Sequence, residues 1–320
     1  MAPRRDIETL FSVNTEDFIR PFAVPALGLR GRTVRLGPLV DAVLDRHAYP
    51  VPVARLIAEA LALTALLGSS LKFDGRFVIQ SQSDGPVSFL VADYFGDGDL
   101  RAYCRFDAER VAAIHGEGRL LGTGHLAFTV DQGEGMKSYQ GIVPLEGHTL
   151  ADTAETYFRQ SEQIPTRIAL AAGEILQPGT DGAGSVKGWR AGGLFVQHLP
   201  GEGGDQSSFG DPEADPVTGF SDDAWAETCA LVDTIGDAEL IDPTVSADTL
   251  LFRLFHERGV RVFDPQPVRD QCRCSNARIE AMLAQFSPED VADMTVDGSI
   301  FVKCEFCARE YRYDPADFAA

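Results

Sequence analysis

The chain has 320 residues, 44% of them hydrophobic, enough to bury a full core and leave material for a second, smaller unit. Its charge is lopsided: 48 acidic against 28 basic residues give a net of −20. A surface of that sign repels nucleic acid and anionic membrane, which argues against both as partners.

The N-terminal run Met1-Ala2-Pro3-Arg4-Arg5-Asp6 has no apolar stretch behind its arginines, so a secretory signal is not expected. The longest apolar stretch, Ala60 to Leu71, lies between Glu59 and Lys72 and reads as too short to cross a bilayer. The expected compartment is the cytoplasm, where thiols stay reduced.

From Pro52 to Leu71 the residues predict one helix, begun by Pro50 and Pro52 and carrying Leu56, Ile57, Ala60, Leu61, Leu63, Leu66 and Leu67 around most of its circumference. A helix apolar nearly all round belongs in a core. A strand rhythm follows in Phe77 to Gln80, Val87 to Val91 and Leu100 to Phe106, with Asp84-Gly85 and Asp97-Gly98 at the turns, which predicts an antiparallel meander. Further strands are expected at Leu126 to Val130, Gln140 to Val143, Arg167 to Ala171 and Gly193 to Leu199, with a helix near Leu150 to Gln160. Sheets and helices in this irregular order predict an α+β fold. Gly133-Glu134-Gly135 lacks the third glycine and the strand-to-helix setting of a dinucleotide site.

After Leu199 the composition changes. Residues 201 to 219 are polar and glycine-rich and read as a loop. Between Arg190 and Arg253 there are thirteen Asp or Glu and no Lys or Arg, a composition that fits a solvated linker. Within it, Ser221 is expected to cap a helix with Trp225, Thr228, Cys229 and Val232 on one face, ended by Gly236. Ser246 opens a second with Leu250, Leu251, Leu254 and Phe255, stopped by Gly259. Like charges and short length should make both dependent on docking elsewhere.

Four of the six cysteines fall near the C-terminus, as Cys272-Arg273-Cys274 and, after 29 residues, Cys304-Glu305-Phe306-Cys307. Two tight pairs offer four sulfurs to one tetrahedral soft metal, zinc by default, and no histidine lies among them. An all-sulfur site can be an inert structural ribbon or, through its electron-rich thiolates, a sensor. Between the pairs, Ser275 is expected to cap a helix with Ile279, Met282, Leu283 and Phe286 inward, Ser287-Pro288 starts another, and Asp297-Gly298 turns into a strand that delivers Cys304. Tyr311 and Tyr313 sit on an expected returning strand. Cys104 and Cys229 lie outside both motifs and read as small buried hydrophobes.

The run Phe255 to Arg269 leading into the first cysteine pair, and Gly298 to Lys303 leading into the second, resemble the redox-switch region of the heat shock protein 33 family, the 33 kDa chaperonins of bacteria. Leu71-Lys72-Phe73-Asp74-Gly75-Arg76, Gly133-Glu134-Gly135-Met136 and Tyr139-Gln140-Gly141-Ile142-Val143-Pro144-Leu145 extend the resemblance over nearly the whole chain. It implies a core chaperone domain over 1–199, a loop and metastable helical linker over 200–264 and a zinc-binding redox switch over 265–320. It also implies an ATP-independent holdase that is zinc-bound and inactive when reduced, and that gains two disulfides and client binding when oxidised, with an oxidised homodimer. The expected metal ligands are Cys272, Cys274, Cys304 and Cys307. Proximity in sequence pairs Cys272 with Cys274 and Cys304 with Cys307, the latter closing first because its ring is less strained. Trp225, Val232, Leu250, Leu251, Leu254 and Phe255 are the expected client surface on the linker.

Two other functions compete. A nucleic-acid-binding zinc ribbon fits the cysteine spacing but not the charge. An enzyme, either a zinc hydrolase or a thiol oxidoreductase, is opposed in its hydrolytic form by four cysteines that saturate the metal.

Overall fold

The computed structural model describes residues 16–71, 75–114, 119–133, 138–145, 149–178, 185–198 and 222–318. Lys72 to Asp74, Glu134 to Met136, the 201–219 loop and the expected cap Ser221 lie outside them.

The helix expected from Pro52 is α2, Val51–Ser70, with Pro50 at its N-cap. It is apolar all round because it lies between two sheets and packs on strands of both. With 20 residues and a mean hydropathy of 1.7 it is long and apolar enough to cross a membrane, so length does not argue against a span as expected. What identifies it as a core helix is that 72% of its most apolar window is buried.

The first sheet is built from β1 (Phe18–Val24) and β2 (Leu29–Leu36), followed by α1 (Pro38–Leu44), and from a long hairpin that comes much later in the chain. The second sheet holds the expected meander β3 (Arg76–Ser83), β4 (Val87–Phe95) and β5 (Asp99–Phe106), then the short α3 (Ala108–Ala112), β6 (Gly124–Asp131) and β7 (Tyr139–Pro144). Helix α4 (Leu150–Tyr157) opens with a reciprocal Thr149–Asp152 capping box and passes into a π-helical turn over Phe158–Glu162. The hairpin is β8 (Thr166–Pro178) and β9 (Ser185–His198). Both strands run well beyond the segments expected from the sequence. Their middles, Ala171-Ala172-Gly173 and Ala191-Gly192-Gly193, carry little side chain, which hides the strand rhythm but lets helices approach closely. A Cβ on Gly193 would fall 2.9 Å from Leu66 of α2.

Three linker helices follow: α5 (Asp222–Val232), α6 (Asp237–Ile241) and α7 (Ala247–Phe255). Two were expected; α6, in the segment after Gly236, is too short to show a period. The chain then adds β10 (Arg261–Val262) and β11 (Gln266–Pro267) to β1, and β12 (Arg269–Asp270) to β5. The C-terminal segment holds α8 (Asn276–Leu283), α9 (Pro288–Met294) and a small sheet of β13 (Thr295–Val296), β14 (Ser299–Lys303) and β15 (Glu310–Tyr313).

The two large sheets run β10-β1-β2-β9-β8, with β11 also on β1, and β12-β5-β4-β3-β6-β7. Every pairing is antiparallel except β12 on β5. This is the expected α+β architecture. Along β1, Ile19 faces α2 while Phe22 and Val24 face the opposite side; along β2, Val34 and Leu36 face α2 while Leu29 does not. The first sheet therefore buries both faces, one on the core helix and one under the linker. The C-terminal segment has its own small core of Ile279, Leu283, Val291, Ile300 and Tyr313. Met282 and Phe286, expected inward, are 45% and 42% exposed, because so small a core has room for only one side of α8.

Candidate metal centre and its contacts with the core

β12 delivers the first cysteine pair. Its backbone runs beside β5, with Arg269 N–H donating to Gly98 carbonyl at 3.0 Å and Gln271 N–H to Leu100 carbonyl at 3.1 Å. Gly98 has φ +89°, and a Cβ there would fall 2.5 Å from the Pro267 carbonyl, so the β4–β5 turn admits the passing strand only with glycine. Ser275 then caps α8 by accepting from Arg278 N–H, as expected. The second pair sits in the β14–β15 turn, closed by Cys304 N–H to Arg309 carbonyl at 2.9 Å and Ala308 N–H to Cys304 carbonyl at 2.8 Å.

These two turns bring the sulfurs of Cys272, Cys274, Cys304 and Cys307 within 4.8 Å of one another. Cys272 Sγ lies 3.7 Å from Cys304 Sγ, and Cys274 Sγ 3.4 Å from Cys307 Sγ. A tetrahedral site with metal–sulfur bonds of about 2.3 Å requires sulfurs about 3.8 Å apart, so the donor set fits one metal ion. The cysteines are half-buried. As bare thiols they are unequal. Burial acts upward on Cys274, but hydrogen bonds from the Tyr311 hydroxyl, at 3.1 Å, and from the other three thiols outweigh it and bring the group to about 7. Burial pushes Cys307 up to about 12, and raises Cys272 as well. Without a cation the cluster favours one thiolate shared among four sulfurs; a bound divalent ion would hold all four as thiolates.

The cluster rests on the β4–β5 hairpin. Arg101 of β5 points Nη1 at Cys272 Sγ, 3.8 Å away, and lays its guanidinium 3.9 Å over the ring of Phe306. Its Nε donates to Asp93, a fully buried carboxylate that Arg76 also binds at 2.8 Å. Arg273, between the first two cysteines, stacks 4.0 Å over Phe95 and pairs with Asp97 and Asp99. Arg269 joins Asp99 at 2.6 Å, and Arg46 of the α1 turn holds Asp270. None of these partners was singled out in the sequence. The available signal was that Arg269 and Arg273 flank a cysteine motif in an acidic chain.

The expected client surface lies under cover. Val232, Leu250, Leu251 and Phe255 are buried, with Trp225 and Leu254 partly so. Trp225, Val232, Leu251, Leu254 and Phe255 pack on Phe22, Val24, Leu29, Leu194 and Val196, where the Phe22 and Phe255 rings stack at 5.8 Å, while Leu250 packs with Leu240 on Ala171. The acidic linker meets basic partners rather than its own charge: Asp233 pairs with Arg167 and Asp248 with Arg20, both arginines of the core sheet. Arg35 of β2, itself buried, reaches across to donate to the carbonyls of Asp242 and Glu239 at 2.8 and 2.9 Å, which satisfies the C-terminal end of α6. Burial raises the thiol of Cys229 and brings that of Cys104 up to about 12; neither approaches the cluster.

A family model described as Hsp33 protein matches residues 17–314. A 33 kDa chaperonin of Caulobacter vibrioides is 49% identical over 307 residues, covering 94% of this chain and 95% of the relative. A 33 kDa chaperonin of Ectopseudomonas mendocina is 36% identical over 305 residues, covering 95% and 94%. Among solved structures, the 33 kDa chaperonin (heat shock protein 33 homolog) of Thermotoga maritima superposes with a TM-score of 0.71 at 20% identity, covering 95% of this chain and 97% of its own, a likeness of fold. With a family match across nearly its full length and relatives named as chaperonins rather than enzymes, the chain belongs to the Hsp33 family of chaperones.

Proposed function

We propose that the protein is a redox-regulated, ATP-independent holdase of the cytoplasm, composed of a core over 1–199, a loop and linker over 200–264 and a zinc switch over 265–320. The observation that carries the reading is the clustering of four sulfurs within 4.8 Å on a segment whose own core, among the described residues, has five buried apolar side chains. So small a core holds poorly alone, and ligation of one zinc ion by Cys272, Cys274, Cys304 and Cys307 contributes about 10–16 kcal/mol to such a fold.

Zinc, when bound, keeps the sulfurs as thiolates that are open to oxidation. Two thiolates and a two-electron oxidant such as hydrogen peroxide yield one disulfide, with the peroxide reduced to water. Pairing of Cys304 with Cys307 and of Cys272 with Cys274 removes all four ligands. The contacts at 3.4 and 3.7 Å run between the two motifs, so peptide mapping of the oxidised form has cross-motif bridges as its opposing outcome.

Loss of the switch fold then frees β10 to β12 and the linker. Trp225, Val232, Leu250, Leu251, Leu254 and Phe255 become available to unfolding clients, and the oxidised chain pairs as a homodimer. The net charge of −20 supports protein clients over nucleic acid or anionic membrane.

The test is zinc content and light scattering of a heat-unfolding client for wild type and Cys304→Ser, reduced and peroxide-treated. The reading expects about one zinc per reduced wild-type chain, released as chaperone activity appears, and weakened zinc retention in the variant. Full activity in the reduced, zinc-loaded wild type would defeat it.

A further inference from the structure

We infer that Arg101 is an outer-shell positioning residue of the metal centre, so that the affinity of the C-terminal cluster is set partly by the core sheet. This rests on the metal reading above. Arg101 belongs to β5, about 170 residues upstream of the cluster, yet it touches both cysteine motifs: Nη1 faces Cys272 Sγ at 3.8 Å, and its plane covers Phe306, which lies between Cys304 and Cys307.

The guanidinium is not a mobile surface charge that happens to lean on sulfur. Asp93, fully buried, accepts from its Nε at 2.5 Å, Arg76 donates to both oxygens of that carboxylate, and the ring of Phe95 lies 5.5 Å from the guanidinium. Its side chain is 14% exposed. The cation is therefore pinned where four thiolates around a divalent ion would carry a net charge of minus two. A fixed positive donor beside one sulfur disperses that charge, and the stacked ring holds the second turn in register with the first. Arg269 and Arg273 also lie on this seam, but their contacts go to Asp97, Asp99 and Phe95, and among the described contacts neither guanidinium reaches a sulfur.

The experiment measures zinc affinity of the reduced full-length protein by competition with a chromogenic chelator, and the sulfur-to-cobalt charge-transfer band after cobalt(II) substitution. Loss of an outer-shell partner costs about 10–100-fold in metal affinity, which is the expectation for Arg101→Met, together with a shifted cobalt band. Arg101→Lys, which keeps the charge without the plane, should recover part of the affinity. Arg269→Met, which loosens the same seam without touching sulfur, should leave the cobalt band in place. Arg101→Met leaves Asp93 paired one-to-one with Arg76, so the variant strands no buried charge and its loss of affinity reports on the sulfur contact. Wild-type affinity and cobalt spectrum in the Arg101→Met protein would overturn the inference, as would an equal loss and band shift in Arg269→Met. A wild-type protein that binds neither metal would overturn the metal reading and this inference with it.

Discussion

Gly192→Ala tests whether docking of the linker is what keeps its apolar face covered. Gly192 lies in β9 against α6, and a Cβ there would fall 1.9 Å from the Leu240 carbonyl oxygen and 2.7 Å from its carbon. The obstacle is backbone, so no side chain can rotate aside, and α6 must withdraw by about 1 Å or more to reach ordinary contact. Arg35 is anchored in β2, so its hydrogen bonds of 2.8 and 2.9 Å to Asp242 and Glu239 stretch out of range. Each such bond from a charged donor is worth about 1.5–3 kcal/mol, and Leu240, 2% exposed, loses part of its burial as well. The sum is about 3–6 kcal/mol against docking of α6, while alanine is compatible with the strand itself. Hydrogen exchange on the reduced, zinc-loaded protein should show protection falling by about two orders of magnitude or more over 237–255, with 76–106 unchanged. Light scattering should show client protection without oxidant. Unchanged protection over 237–255, or loss spread equally over both sheets, would refute the reasoning.

Other outcomes follow from particular side chains. Burial raises the Glu59 carboxyl to about 7, with Arg55 opposing and Asp237 adding to the shift. A folded value above the unfolded one means that stability falls as pH rises from about 4.5 to about 7; Glu59→Gln should therefore raise the melting temperature at pH 8, by the equivalent of about 2–3 kcal/mol, and change little at pH 4.5. Equal effects at both pH values would contradict this. Cys104, 2% exposed with its thiol raised to about 12, should resist iodoacetamide in the native protein at pH 8 and react only in denaturant; rapid native labelling would show that the β5 face opens. Removal of zinc by a chelator from the reduced protein should abolish exchange protection over 272–318 while β3 and β4 keep theirs, and protection retained over 272–318 would show that the segment folds without metal.

The sequence by itself determined the elements that carry their own signal. The clustering of four cysteines was legible because two tight pairs leave few chemical uses, and α2 because an apolar run of helical length has few placements outside a core. The meander from Phe77 to Phe106 showed through alternation and its Asp-Gly turns. Ser246, Ser275 and Ser287 declared their helices by capping, a contact made within four residues. What only the tertiary structure decided are contacts between distant segments. β1 and β2 bury both faces, which spoils the alternation that would have announced them, and β10 to β12 are two-residue strands that exist only because β1 and β5 offer open edges. The acidic linker looked self-repelling because its counterions Arg20 and Arg167, and the carbonyl donor Arg35, are drawn from a sheet that begins some two hundred residues earlier. Arg101 shows the same limit most plainly: nothing in the local pattern of β5 distinguishes it from any other strand arginine, and its role appears only when the fold lays Cys272 and Phe306 against it, since charge and stacking act through space and not along the chain.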